Sequence, residues 1–400
     1  MISLLSLGIE NYRSIYSRQD LVLPDISDSR VTAIFGPNAG GKSNVTSSLN
    51  PIVACIFRSA DANFMLPYDP FLLKHNSEFD ATSFEVTFSY QNKVYVYGFS
   101  YNHEQIISEE LLEKPSRKGK AKTIFRRDRD GSLNPAAASN GFGKKIISAT
   151  RKDTLLITKA RESNNFYSNI VFEFAGSLLV RHGAITGLDP QFYDLLRGDE
   201  NLRSRAVELL RQCDFSIRDL FIEDYAVPEE LLARIPDFED DRVQANNKIS
   251  LIATAHAIRD VDESIVGRQQ FNLVTQESAG TNEFIGIIVP LLYALDNGKT
   301  IVLDDFGAFM HPNLTDAILD LFDSEENTSG ARLILNTHNT FIMERRKTKR
   351  EDIVLVEKNL AEETKIFPLV SKSVRSNEAF EKRYRAGLYG AIPILSHDEA

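Results

Sequence analysis

"RVTAIFGPNAGGKSNVTSSLN", residues 30–50, decides how the rest of the chain is read. Its apolar opening, 30–35, reads as a strand that stops at Gly36, and a glycine-rich turn follows. Beyond the turn, "KSNVTSSLNPIVACIF" has apolar spacing that fits a helix, with Pro51 expected to kink or end it. In a strand, glycine loop and helix arranged in that order, backbone N–H groups can curl around an anion that the helix N-terminus also faces. "GPNAGGKS", Gly36 to Ser43, fills every fixed position of G-x-x-x-x-G-K-[ST]. The motif predicts a nucleoside triphosphate, ATP, whose β- and γ-phosphates Lys42 bridges and whose Mg²⁺ the Ser43 hydroxyl ligates. Asn38, Gly41 and Asn44 complete the candidate binding set on this loop. The expected fold class is α/β.

Three further stretches lie downstream. In "IVLDDFGAFMHP", 301–312, three apolar residues run into Asp304 and Asp305. A carboxylate at the end of a buried strand can hold the water shell of Mg²⁺, the role expected of Asp304. The adjacent Asp305 is a second acid at the strand end and a candidate catalytic carboxylate. Upstream stands "QESAGTNEF", 276–284, joined to the acids by the apolar "IGIIVPLLYAL". Downstream, "LILNTHNT", 333–340, is another buried strand, and His338 follows it.

Composition limits the alternatives. With 400 residues, 42% of them hydrophobic and 26% charged, the chain can bury a sizeable core in one large domain or in two to three smaller ones. A net charge of −10 argues against a protein that coats nucleic acid without specificity. Cys55 and Cys213 stand far apart without metal-ligand spacing, which predicts neither a disulfide framework nor a zinc site and fits a reducing cytoplasm. "MISLLSLGIENYRS" lacks a basic leader region and reads as a first strand rather than a signal peptide. No apolar run is long enough for a membrane span, so a cytoplasmic location is expected.

Strands are also expected at 2–9 and 20–23, and a hairpin at 83–90 and 93–101, with Gln91 in its turn. The Lys- and Arg-rich stretch 114–129 reads as a solvated hairpin edge, or as a phosphate-binding patch. From about 150 to 235 the spacing is helical, as in "SRAVELLRQCDF" and "PEELLARI"; an acidic connector, 236–248, precedes the strand "KISLIATAHAI". Three segments are therefore expected: 1–150 with the phosphate loop and hairpin subdomain, 151–250 as a helical insert, and 251–400 with the remaining chemistry.

Signature-like serine, paired acids and histidine, in that order after a phosphate loop, resemble the ABC-type ATPase head, whose relatives include SMC and DNA-repair ATPases. The resemblance implies an ABC/SMC-head P-loop NTPase with a mixed central sheet, an N-terminal antiparallel β-subdomain and a helical insert. It also implies that Ser278 and Gly280 bind the γ-phosphate of ATP held by a second copy, and that His338 is the switch histidine. Arg13, in "NYRS", would approach the nucleotide phosphates as the corresponding basic residue does in SMC-like heads, or else form a surface salt bridge. "IENYRSIYSRQDLVL", "DDFGAFMHP" and "YRAGLYGAIP" (384–393) narrow the resemblance to bacterial phage-defence ATPases of the RloA-like or AriA-like kind. There His311-Pro312 occupies the D-loop aspartate position, and Asp305 stands where the family usually carries Glu.

What this implies is an ATP-binding sensor and scaffold in abortive infection. It would assemble as a homodimer or higher homo-oligomer through nucleotide-sandwiched heads, answer a phage-encoded trigger, and hold a separate nuclease effector, Toprim-like for example. The chain shows no second catalytic constellation of its own, which is why the effector is expected in trans. The alternative is a DNA-processing ATPase that binds nucleic acid directly through 114–129 and "RRKTKR", 345–350. A transporter subunit fits poorly with the aromatic hairpin at 83–101.

Overall fold

The computed structural model describes residues 2–181, 188–213, 215–226, 243–244, 248–372 and 379–392. The chain divides into two compact units: residues 1–183, 297–306 and 319–400 form one, and residues 184–296 and 307–318 the other.

The first unit is built on two six-stranded sheets. The chemistry-bearing sheet has the strand order Thr364–Pro368, Ile353–Lys358, Val31–Phe35, Arg332–Asn336, Thr300–Leu303, Leu178–Arg181. All its pairings are parallel except that of the Thr364–Pro368 edge, so the sheet is mixed. The three middle strands are buried at every residue. Parallel strands covered on both faces require such uninterrupted apolar runs, which is why "VTAIF", "TIVL" and "RLILN" do not alternate. Strand Arg332–Asn336 lies between the strand that enters the phosphate loop and the strand that ends at the acids. Its carboxyl end therefore opens between those two motifs, where ligands of open α/β sheets bind.

The second sheet is antiparallel throughout, in the order Gln19–Val22, Ile2–Glu10, Thr82–Tyr90, Lys93–Tyr101, Ile106–Lys114, Lys122–Arg127. Gln91 and Asn92 both have positive φ, 45° and 66°, and this turn matches the strand twist of the expected hairpin. Inward aromatic residues of the hairpin and the apolar face of helix Phe166–Gly176 share one core with the parallel sheet; Phe88 stacks on Phe174 with ring centroids 4.1 Å apart.

The helix after the phosphate loop breaks at Ser48, between Lys42–Ser47 and Leu49–Arg58. This is the turn before Pro51, where its ring meets the carbonyl four residues back, so the expected interruption is present. Pro51 thereby falls in the first turn of the second helix, where its missing N–H has no partner to lose.

In the second unit, helices Tyr193–Gly198 and Glu200–Gln212 precede the strand Ile217–Ala226, which pairs antiparallel with Lys248–Arg259. That strand lies in a stretch whose spacing reads as helical; its two buried residues, Ile217 and Leu220, stand three apart, an interval that fits a helix better than a strand's alternation. "PEELLARI" lies outside the described residues. Lys248–Arg259 also pairs with Ile265–Asn272, and helix Ala279–Asn297 follows, buried without interruption from Thr281 to Leu292.

Candidate active site

Two glycines and a chain of side-chain hydrogen bonds shape the phosphate loop. At Gly36 a Cβ would stand 2.2 Å from the Val356 carbonyl oxygen, so the strand can enter the loop only without a side chain. Gly41 has φ 104°, a conformation L side chains rarely adopt, and a Cβ there would meet Thr364 Oγ1 at 2.1 Å. A chain of hydrogen bonds then braces the loop: Asn44 Nδ2 donates to Ser14 Oγ at 2.6 Å, Ser14 pairs with Thr364 Oγ1 at 2.7 Å, and Thr364 Oγ1 donates to the Gly40 carbonyl at 3.1 Å. Asn44, expected among the nucleotide-binding residues, is thus a brace of the loop. Asn38 is exposed on its rim.

Lys42 is the first residue of its helix and is 5% exposed. Its ammonium donates to the Gly36 and Pro37 carbonyls, at 3.1 Å each. Burial pulls its pKa below the ordinary lysine value, while the charges of Asp305 and Asp304 oppose that shift. The loop lysine and the two acids therefore share one electrostatic site. Ser43 stands beside it, half-buried.

The acid pair is held from the middle strand. Asn336 donates through Nδ2 to Asp304 and, at 3.2 Å, to Thr46 Oγ1 of the loop helix. Its Oδ1 accepts the backbone N–H of Asp305 at 2.8 Å. One step on, Thr337 Oγ1 donates to the Phe306 carbonyl at 2.7 Å, and the Phe306 N–H returns to the Asn336 carbonyl at 2.9 Å. Asp304 is 2% exposed; Asp305 is half-buried, with φ 50°, a left-handed conformation that a short polar side chain tolerates better than most. His338 is exposed as a residue, yet partial desolvation of its ring, followed by the Lys42 charge, holds its pKa below the ordinary histidine value. The neutral imidazole is consequently the favoured form at neutral pH, able to donate one hydrogen bond.

The structure thus brings together Lys42, Asp304, Asp305 and His338 in one unit. Arg13 is engaged elsewhere: its Nε donates to Asp69 at 2.7 Å and its Nη1 to Ser47 Oγ at 3.3 Å, the salt-bridge arrangement. In the other unit, Ser278 starts the long helix, its Oγ accepting the Thr281 N–H at 3.1 Å. Gly280 lies under the Phe309 carbonyl, 3.0 Å from where a Cβ would stand. His311 is exposed, and its Nδ1 accepts the Asn313 N–H at 3.2 Å at the start of helix Pro312–Asp323.

Two polar residues of this machinery escape sequence reading. Asn336 looks like the end of an apolar strand, and only its burial at 0% marks it as a working polar group. Glu283 sits within the apolar helix, 2% exposed, and accepts the N–H groups of Gly307 at 3.1 Å and Phe309 at 2.9 Å. It fixes the turn that follows the acids from the helix that carries Ser278 and Gly280. An acid interrupting "SAGTNEFIGIIV" is the one signal that could have found it.

No group of three or more His, Cys, Asp or Glu side chains among the described residues could hold a metal ion on its own. A hydroxyl and one or two carboxylates fit Mg²⁺ only when nucleotide phosphates supply further oxygens, and Ser43 and Asp304 suit that arrangement. Several arginines of the two basic stretches are engaged within their own unit. Arg126 pairs with Glu110 at 2.6 Å, and Arg127 donates to the Thr154 carbonyl at 2.8 Å. Arg345 pairs with Asp320 at 2.8 Å and with Asp323 at 3.3 Å. No helix among the described residues is long and apolar enough to cross a membrane.

Solved structures similar to the chain include the SMC head domain from Thermotoga maritima, at TM-score 0.43 and 15% identity over 91% of this chain and 98% of that one. An SmcHead bound to the C-winged helix domain of ScpA has TM-score 0.45 and 12% identity over 95% and 99%. An Smc head domain with a coiled coil and joint derived from Pyrococcus yayanosii has TM-score 0.45 and 9% identity over 96% and 100%. At scores below 0.5 nothing about activity follows from these likenesses. No curated protein matches the chain. A family model described as "AAA domain, putative AbiEii toxin, Type IV TA system" matches residues 31–344. With its phosphate loop, intervening strand and strand-end acids in place, the chain belongs to that AAA domain family.

Proposed function

We propose that the protein is a slow ATPase serving as sensor and scaffold in an anti-phage, abortive-infection system, closing on a second copy over bound ATP and holding a separate nuclease effector. The observation that carries this reading is the set Lys42, Asp304, Asp305 and His338 around one strand end, stitched by Asn336. Membership of a family whose description names an AbiEii toxin and a Type IV TA system supports a setting of this kind.

In this reading the loop N–H groups and Lys42 take the β- and γ-phosphates, the lysine exchanging its two carbonyl partners for phosphate oxygens. Ser43 and Asp304 would hold Mg²⁺, which neutralises charge developing on the phosphates. Asp305 orients and deprotonates the attacking water, and neutral His338 donates to the γ-phosphate. Ser278 and Gly280 act on the ATP of the other copy, so turnover requires two chains. Arg13 joins the phosphates only after leaving Asp69. Asp305 is one methylene shorter than Glu, and a misplacement of about 1 Å costs on the order of 100-fold in rate, hence slow hydrolysis. The cytoplasm is its expected compartment, and a phage-encoded trigger would alter the closed state.

Sedimentation of the purified chain with ATP·Mg²⁺ and without it tests the scaffold. An ATP-dependent shift to dimer or larger, lost in Lys42→Ala and in Ser278→Arg, is expected; a chain that stays monomeric at saturating ATP would sink the proposal.

A further inference from the structure

In the second unit, one face of helix Glu200–Gln212 packs through Leu202, Ala206 and Leu210, while the opposite face is polar. Together with strands Ile217–Ala226 and Ile265–Asn272, that polar face lines an open cavity of about 690 Å³. Four arginines line it, Arg203 and Arg211 from the helix and Arg218 and Arg268 one from each strand, against three carboxylates, Glu200, Glu208 and Asp219. The carboxylates are partly engaged: Asp219 lies 3.8 Å from Arg203 and accepts the Leu220 N–H, and Glu208 accepts from Gln212. Arg211, Arg218 and Arg268 form no ion pair among the described residues, and the Nε of Arg218 is buried without a hydrogen-bond partner. In a chain of net charge −10, a lining whose arginines outnumber its carboxylates by one is a local reversal of sign.

We propose that this cavity is a binding site for a small polyphosphate-bearing ligand, separate from the phosphate loop. Guanidinium forks match phosphate oxygens two at a time, which a lysine cannot do. A buried donor left without a partner is costly, and an oxyanion reaching Arg218 would satisfy it. The position of Arg218 also selects the source of the phosphate. A compact ligand can enter to a buried Nε, whereas a nucleic-acid backbone laid across the opening would meet the exposed Arg211 and Arg268 alone. The volume is in the range of small-ligand sites, about 300–1,000 Å³. In the basic stretches 114–129 and 345–350, Arg126, Arg127 and Arg345 are held by internal partners; the arginines of this cavity come from separate elements, where no run of Lys and Arg announces them.

The test is calorimetric titration of tripolyphosphate, and in parallel of a 20-nucleotide single-stranded DNA, into the full chain carrying Lys42→Ala to disable the phosphate loop. Tripolyphosphate is expected to bind one to one. Adding Arg218→Ala should weaken it about tenfold or more, the loss of one charge-assisted donor pair. Arg268→Ala, at an exposed position that leaves folding alone, should weaken it several-fold. Unchanged tripolyphosphate binding in both variants would overturn the assignment. So would DNA binding that depends on Arg211 and Arg268 but not on Arg218, or no tripolyphosphate binding at all.

Discussion

Asn336 accepts the Asp305 N–H through Oδ1 while donating to Asp304 through Nδ2, so one amide fixes the backbone of one acid and the side chain of the other. Asn336→Ala should leave a buried carboxylate and a backbone N–H short of partners and cost about 1–3 kcal/mol of stability. ATP turnover should fall at least tenfold while nucleotide affinity, set by the loop, changes little. Denaturant melts and nucleotide titration of the same variant separate the two effects; equal turnover would show that the amide has no part in placing the acids.

Asp305→Glu tests whether side-chain length limits hydrolysis. The added methylene should raise turnover about tenfold or more if the water is out of reach of the shorter acid. Asp305→Asn should abolish turnover and retain ATP-dependent assembly. A Glu variant no faster than the parent would place the slow step elsewhere, in closure of the heads for instance.

Glu283→Gln keeps shape but leaves a single acceptor oxygen for the Gly307 and Phe309 N–H groups. The turn after the acids should loosen, with turnover reduced about tenfold and ATP affinity within about twofold of the parent. Hydrogen exchange at 307–309 reads the loosening directly; protected amides in the variant would contradict the anchoring role.

Asp352 gives a pH dependence. Burial pushes its pKa up to about 6, so the folded chain retains a proton that the unfolded chain releases near 4. Stability contributed by this group is therefore full below about pH 4 and declines as pH rises to about 6. The cost above that window is about 3 kcal/mol at 1.36 kcal/mol per unit. Asp352→Asn keeps an acceptor for the Lys349 N–H and should raise Tm at pH 7.5 but not at pH 4. Equal effects at both values would refute the account.

What was legible in the sequence was local or periodic. The phosphate loop, the strands flanking it, the paired aspartates and the hairpin turn at Gln91–Asn92 all declare themselves within a dozen residues, because glycine, acid and alternation have direct backbone consequences. Asn336, Glu283, Ser14 and Thr364 are isolated polar residues whose partners lie far along the chain, and a single polar residue gives no period to read. The basic stretch 114–129 was legible as a hairpin edge, and Lys122–Arg127 is indeed an edge strand; what a run of Lys and Arg does not show is which carboxylates face it, such as Glu110 and, for 345–350, Asp320. Strand Ile217–Ala226 was hidden because most of its residues are only partly buried, so the alternation that marks a strand is faint.

The Asn44–Ser14–Thr364–Gly40 chain of hydrogen bonds has a bearing on biosynthesis. The loop that grips phosphate is encoded early, yet the residue against which Gly41 is shaped arrives with the edge strand Thr364–Pro368. On a ribosome adding about 5–20 residues per second, the N-terminal portion waits many seconds for that strand. Bracing of the loop is thereby deferred until Thr364 has emerged, long after Gly36–Ser43.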